Sequence, residues 1–142
     1  MLEQKILVPL DGSPISAQTV KGLIAMKDYL ATPLTLLHVL DLERLSCQGF
    51  PDRNYIEFSR RARKEAREFI DRQQQIFADA GMATETLVRE GNARDVICAL
   101  ADSGDYDLLV IGRNPVSELR DLLFGQVANY VVHRVNCPVL VI

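Results

Sequence analysis

The sequence is short of cysteine, histidine and long apolar runs, and each shortage removes a class of protein. Cys47, Cys98 and Cys137 are an odd number with no CxxC pair. That fits neither a disulfide framework nor a zinc site and points to a reducing, cytoplasmic setting. His38 and His133 have no cysteine or carboxylate at ligand spacing on the same predicted element, so both read as structural or surface residues and no metal site is expected. No apolar stretch approaches the ~20 residues of a membrane span. Glu3 and Lys5 give the first residues no basic leader region, so a soluble chain without a secretion signal is expected. Positive charge is scarce too: 16 basic against 19 acidic residues leave −3 at pH 7. An acidic chain has no electrostatic footprint for duplex nucleic acid or an anionic membrane, and neither is an expected partner.

What the chain does have is a core and a pattern. Its 142 residues are 48% apolar and 25% charged, the composition of one domain spanning 1–142. A globule of that size buries about 68–70% of its unfolded surface and needs no staples. Lys5 to Leu10 is a short apolar run that stops at Asp11-Gly12-Ser13-Pro14, where Ser13 can cap a helix and Pro14 suits its first turn. Ala17, Val20, Leu23, Ile24, Met26 and Leu30 then recur at helical steps, with Ser16 assigned to the solvent face. Leu34 to Leu40 is continuously apolar, as a strand covered on both faces would be.

Asp41 to Tyr55 lacks a period and reads as a loop. From about Phe58 to Ala80 a long amphipathic helix is predicted, with Ala62, Ala66, Phe69, Ile70, Ile76, Phe77 and Ala80 inward and Arg60, Arg61, Arg63, Lys64 and Arg67 outside. Thr84 to Arg89 reads as a strand near the sheet edge, and Gly91-Asn92 opens a helix carrying Val96, Ile97 and Leu100. Asp107 to Gly112 is another buried strand. After a loop from Arg113 to Phe124, a helix from about Gln126 turns Val127, Tyr130, Val131 and Val135 inward, and Pro138 launches Val139 to Ile142. Five strands and four helices in alternation specify an α/β fold, a doubly wound open parallel sheet with helices on both faces. A final apolar strand with no helix after it invites pairing with a second copy of the chain, unless lysines or loop residues elsewhere shield that edge in a monomer.

Open α/β sheets bind ligands beyond the carboxyl ends of their strands, where the strand order reverses and adjacent loops part. The loops after the first and fourth strands are the candidates. One offers Asp11, Gly12 and Ser13; the other offers Gly112, Arg113 and then Gly125-Gln126 at a helix start, where unpaired N–H groups and the helix dipole favour an anion. Glycine also ends strands for purely local reasons, so a phosphate site and a structural turn both remain open at this stage.

Pro9-Leu10-Asp11-Gly12-Ser13, Leu37-His38-Val39, Gly91-Asn92-Ala93, the strand Asp107 to Gly112 and the ending Asn136-Cys137-Pro138-Val139-Leu140-Val141 occur in an order that resembles the universal stress protein family over essentially the whole chain. The resemblance implies a Rossmann-like sheet of order 3-2-1-4-5, a stress-response regulatory role, adenine-nucleotide binding (ATP, ADP or AMP, with or without Mg) and a homodimer joined through Val139 to Ile142. It implies a site at Pro9, Leu10, Asp11, Val39, Gly112, Arg113, Pro115, Gly125, Gln126 and Val127, with Asp11 accepting from adenine or ribose and the Val39 backbone beside the base. In the family's nucleotide-binding branch the phosphate signature is Gly, two residues, Gly, nine residues, Gly, then Ser or Thr. Here Pro115 stands at the second glycine and Gln126 at the hydroxyl residue. Proline brings neither an N–H nor a free φ to the loop. Losing a hydrogen bond to a charged group costs about 1.5–3 kcal/mol, one to two decades of affinity, although the Gln126 amide can donate in its own way. The resemblance therefore implies preference for AMP or ADP over ATP, or else a dimeric interaction and signalling module that binds no nucleotide.

Catalysis is not expected. Ser13 and Ser16 lie near Asp11, but capping and the solvent face account for them, and any ATP hydrolysis would be slow and incidental. From Phe58 to Arg72 six basic residues meet Glu65, Glu68 and Asp71, which gives +3 against −6 for the rest of the chain. Such a run is either a solvated face laced by close opposite charges or a surface for a regulatory protein partner. Cys47, in the predicted loop, is a candidate accessible thiol, with Cys98 and Cys137 expected in the core.

Overall fold

The computed structural model describes residues 4–46, 54–113 and 125–142. Its elements run β1 (Ile6–Pro9), α1 (Pro14–Ala25), a single 3-10 turn (Lys27–Tyr29), β2 (Leu34–Leu40), α2 (Leu42–Ser46), α3 (Tyr55–Asp79), β3 (Thr84–Glu90), α4 (Ala93–Ala101), β4 (Leu108–Ile111), α5 (Gly125–Arg134) and β5 (Val139–Val141). The strands form one five-stranded sheet of order β3-β2-β1-β4-β5, and every pairing is parallel. The doubly wound sheet read from the sequence is the fold observed.

Alternation along the central strands explains why those runs are continuously apolar: both faces are covered. Ile6, Val8 and Leu10 of the first strand and its exit, with Leu34, Leu36 and Val110, pack against Val20 and Leu23 of α1 and Ile70 and Phe77 of α3. Leu7, Leu37, Leu109 and Ile111 point the other way, onto Ile97 and Ala101 of α4 and Val131 of α5. Val127, Tyr130 and Val135 border that second layer as expected. The β3 strand forms one edge of the sheet and β5 the other.

Four details differ from the sequence expectation. On α1 the buried face is Ser16, Thr19, Val20 and Leu23, while Ala17 is exposed. The two polar residues tolerate burial because each is hydrogen-bonded: Ser16 Oγ accepts from Asp11 N at 3.1 Å and Thr19 Oγ1 donates to Ile15 O at 2.8 Å. On α3, Ala62, Ala66, Ile70 and Phe77 are buried, but Ile76 is 44% exposed. Six residues beyond Ile70 are about one and two-thirds turns, which carries Ile76 off the inward face. The stretch assigned to a loop after β2 contains α2, started by Asp41, whose Oδ1 accepts from Arg44 N, and anchored by buried Leu42. The described helices therefore number five rather than four. Cys98 and Cys137 are half-buried rather than enclosed, and Cys47 lies outside the described residues.

Candidate functional site

The chain turns sharply where β1 ends. Gly12 holds φ at +83°, a left-handed conformation that a side chain disfavours. Around it Asp11 Oδ1 accepts from Ser13 N at 2.9 Å, and Ser13 Oγ accepts from Ser16 N at 3.3 Å to cap α1. Asp11 N is held by Ser16 Oγ, so a buried hydroxyl of α1 fixes the loop from below while the Asp11 side chain stays exposed. Leu10 is the least available member of the predicted set. Its side chain is 2% exposed in the α1–α3 layer, its N–H donates to Leu37 O, and its carbonyl accepts from His38 Nδ1 at 2.8 Å. Its side chain faces the core, and its N–H and carbonyl are both engaged within the protein.

On the other side of the sheet's reversal point, Gly112 leaves β4 directly against α1. A Cβ at 112 would run into Thr19 Oγ1 and come within 2.8 Å of Ile15 Cγ2. The tertiary fold thus presses Gly112 onto the first turns of α1, whose cap belongs to the Asp11 loop. Arg113 is exposed and its N–H donates to Ile142 O at 3.0 Å, tying the start of its loop to the end of the last strand. Pro115 lies outside the described residues. Gly125 is the first residue of α5 and Gln126 the second, the positions where a helix presents unpaired N–H groups. Val39 and Val127 are half-buried and both border the α4–α5 layer, and Pro9, half-buried, pairs with Leu37 at the end of β1.

The ends of β1, β2 and β4 therefore come together at the point where the strand order reverses, and Pro9, Asp11, Val39, Gly112 and Arg113 are grouped there by topology. The chemistry on offer is an exposed carboxylate that accepts hydrogen bonds, an exposed guanidinium, and a helix N-terminus. That set fits a polar ring or sugar at one end and an anion at the other.

His38 does not join this group. A carbonyl oxygen only accepts, so its Nδ1 donates to Leu10 O, and its ring sits 4.7 Å from that of Phe69 on the α3 side of the sheet. A cleft of about 310 Å³, lined by His38, Leu40, Leu45, Glu65, Phe69 and Arg72 among others, opens there, on the opposite face of β2 from Val39. Ser16 and Thr19 are the functional neighbours that pattern reading misses. The signal for Ser16 was its place five residues after Asp11 in a helix whose next buried positions are 19, 20 and 23. Neither Cys98 nor Cys137 approaches the chemistry of a nucleophile: burial first, then nearby Asp102, pushes both thiols up. Among the described residues no group of three or more His, Cys, Asp or Glu is placed to hold a metal ion, and no helix is long and apolar enough to cross a membrane.

Comparison with known proteins gives this geometry its context. The sequence profile described as "Universal stress protein family" matches residues 3–142. Universal stress protein Sll1388 of Synechocystis is 28% identical over 148 aligned positions, covering 97% of this chain and 96% of its own. Universal stress protein YxiE of Bacillus subtilis is 26% identical, with 97% of both chains covered. Among solved structures, MJ0577, described as a hypothetical protein assigned its biochemical function from structure, superposes with a TM-score of 0.77 at 25% identity, covering 100% of this chain and 96% of that one. A universal stress protein family member from Arabidopsis thaliana with AMP bound gives 0.64 at 18% identity (98% and 90% covered), and a universal stress protein in complex with cAMP gives 0.57 at 24% (98% and 95% covered). With the profile spanning nearly the whole chain and the fold matching throughout, the chain belongs to the universal stress protein family.

Proposed function

We propose that this chain is a stress-response regulatory domain that binds an adenine nucleotide, without turnover, in the crevice between the Asp11 loop and the segment from Gly112 to Gln126. The observation that carries the reading is the packing of Gly112 onto Ile15 and Thr19, which sets the β1 and β4 exits side by side at the reversal of strand order. In this reading Asp11 accepts from the adenine or ribose, the backbone at Val39 lies along the base, Val127 and Pro9 form walls, and the α5 N-terminus receives phosphate. Relatives of the same fold that hold AMP or cAMP support the choice of nucleotide. Magnesium would enter on the phosphates, since no cluster of acidic or histidine ligands is built for it among the described residues.

The phosphate end sets the preference. Pro115 supplies no N–H, and Gln126 stands where the family's binding branch has a hydroxyl, so AMP or ADP is bound better than ATP. The protein works in the cytoplasm as a homodimer paired through β5, whose outer edge has no partner strand among the described residues. Calorimetric titration with ATP, ADP and AMP, each with and without magnesium, tests this. Heat with AMP or ADP and little with ATP supports the reading, and equal affinity for all three removes the argument from Pro115 and Gln126. Absence of heat with every nucleotide favours the second reading, a dimeric interaction module of the same fold, which the proline at the phosphate loop already suggests.

A further inference from the structure

The long helix α3 divides its cations into two sets. Arg63 and Arg67 turn to the sheet edge: Arg63 donates to both carboxylate oxygens of Glu90 at 3.1 and 3.0 Å, and Arg67 donates to Thr86 Oγ1 at 2.5 Å and to Asp71 Oδ1 at 2.8 Å. These two fasten α3 to β3. Arg60 and Arg61, in contrast, have no ion pair or hydrogen bond among the described residues, and Lys64 reaches only Glu68, at 3.9 Å, with 76% of its side chain exposed. Together with Glu57 they line a shallow groove of about 240 Å³ on the outer side of the helix. Ile56, one turn before Arg60, is 73% exposed, and neighbouring Tyr55 is 44% exposed.

An exposed aliphatic side chain beside uncommitted arginines has the make-up of an interface, an apolar anchor within a polar rim, more than of a solvated face whose charges satisfy one another. Charge decides the occupant. The stretch from Phe58 to Arg72 carries +3 while the rest of the chain carries −6. A long polyanion such as duplex DNA, or an extended anionic membrane, would meet the acidic remainder as well as the helix. A short acidic segment meets the helix alone. We propose that the outer face of α3 formed by Ile56, Arg60, Arg61 and Lys64 is a docking surface for an acidic segment of a partner protein, with carboxylates pairing to the arginines and an apolar side chain covering Ile56. This surface is separate from the nucleotide crevice and stands whether or not that site is occupied.

The test uses the whole, isotope-labelled protein and a short synthetic peptide of alternating glutamate and leucine. Amide shifts confined to residues 55–68 are expected, with affinity falling about tenfold or more in the Arg60→Glu, Arg61→Glu double variant and falling again as salt rises from about 50 to about 300 mM. Arg63→Gln is the control: its peptide affinity should be unchanged, because that guanidinium is committed to Glu90. Circular dichroism of the double variant checks that α3 is intact, and if it is not, Ile56→Ser with Arg60→Gln takes its place. The proposal is overturned by no shifts, by shifts elsewhere on the surface, by equal binding of a peptide with glutamine for glutamate, or by undiminished binding in the charge-reversed variant. Tighter binding of a DNA duplex or of phosphatidylserine vesicles than of the peptide also overturns it.

Discussion

Thr19 Oγ1 occupies the space that a Cβ on residue 112 would need, so the glycine after β4 is required by a side chain of α1. Thr19 is 3% exposed and held by its bond to Ile15 O, so it has nowhere to retreat. Gly112→Ala should therefore destabilise the fold by about 1–3 kcal/mol through overpacking. Thermal melts of Gly112→Ala, Thr19→Ala and the double variant form a cycle with a coupling of about 0.5 kcal/mol or more, since the second change removes the clash. Rescue should be partial, because Ile15 Cγ2 also lies within 2.8 Å of the added carbon. Additive losses would show that the contact is not the reason for the glycine.

Nucleotide preference should be reversible at two positions. Replacing Pro115 by Gly and Gln126 by Ser restores an N–H, a free φ and a hydroxyl to the phosphate segment. Because the Gln126 amide can already donate, the net gain is one hydrogen bond to a charged group, about 1.5–3 kcal/mol, and ATP affinity should rise about tenfold to a hundredfold with AMP nearly unchanged. Calorimetry that finds ATP binding no better than in the parent would refute the account of the loop.

Ser16 offers a way to disturb the adenosine end without touching a group that faces the ligand. Ser16→Ala removes the acceptor of Asp11 N, leaving that N–H to find water or go unpaired at a cost of about 1–3 kcal/mol. AMP affinity should fall severalfold in Ser16→Ala, whereas Ser13→Gly, which keeps a tolerated cap residue, should leave AMP affinity close to the parent's.

The two half-buried thiols set a pH dependence at the alkaline end. Burial raises both above the usual 9.0, so the folded state holds its protons more tightly than the unfolded chain. Their contribution to stability is fully present below the unfolded thiol range and is lost as pH rises from there through the folded values. Alkylation by iodoacetamide, read by peptide mass spectrometry near pH 8, should be slower at Cys98 and Cys137 than for a free cysteine. In Cys98→Ala, Cys137→Ala, the melting temperature should decline less between pH 8 and 10.

Dimerisation through β5 has a backbone test. Ile142 N donates to Ile111 O on the inner side, so strand alternation turns the Val141 N–H to the open edge. Val141→Pro removes that donor while leaving the bonds to β4, a placement proline accepts on an edge strand. Sedimentation should show the dimer dissociating at about tenfold or higher protein concentration, with the monomer still folded. An unchanged association constant would place the interface elsewhere.

The elements most legible in the sequence were those whose local signals agree with their burial. β1, β2 and β4 are apolar runs because both sheet faces are covered, and Ser13-Pro14 and Asn92 each start a helix where their side chains cap it. The less legible positions were polar residues inside and apolar residues outside. Ser16 and Thr19 are buried because partners distant from the helical pattern, the Asp11 loop and Gly112, close over them. Ile76 is exposed although its neighbours favour the core, and α2 is too short for periodicity to reveal.

The alternation of strands and helices, the sharp turn at Asp11-Gly12 and the motif order of the family are written in the sequence alone, because these rest on hydrophobic period, capping and turn chemistry that act over a few residues. The folded chain alone settles which cations of α3 bind β3 and which face out, and that hydroxyls of α1 lie beneath the Asp11 loop and against Gly112. Those outcomes depend on contacts between segments far apart in the chain, such as Arg63 with Glu90 and Thr19 with Gly112, and no local pattern encodes the distance across which they meet.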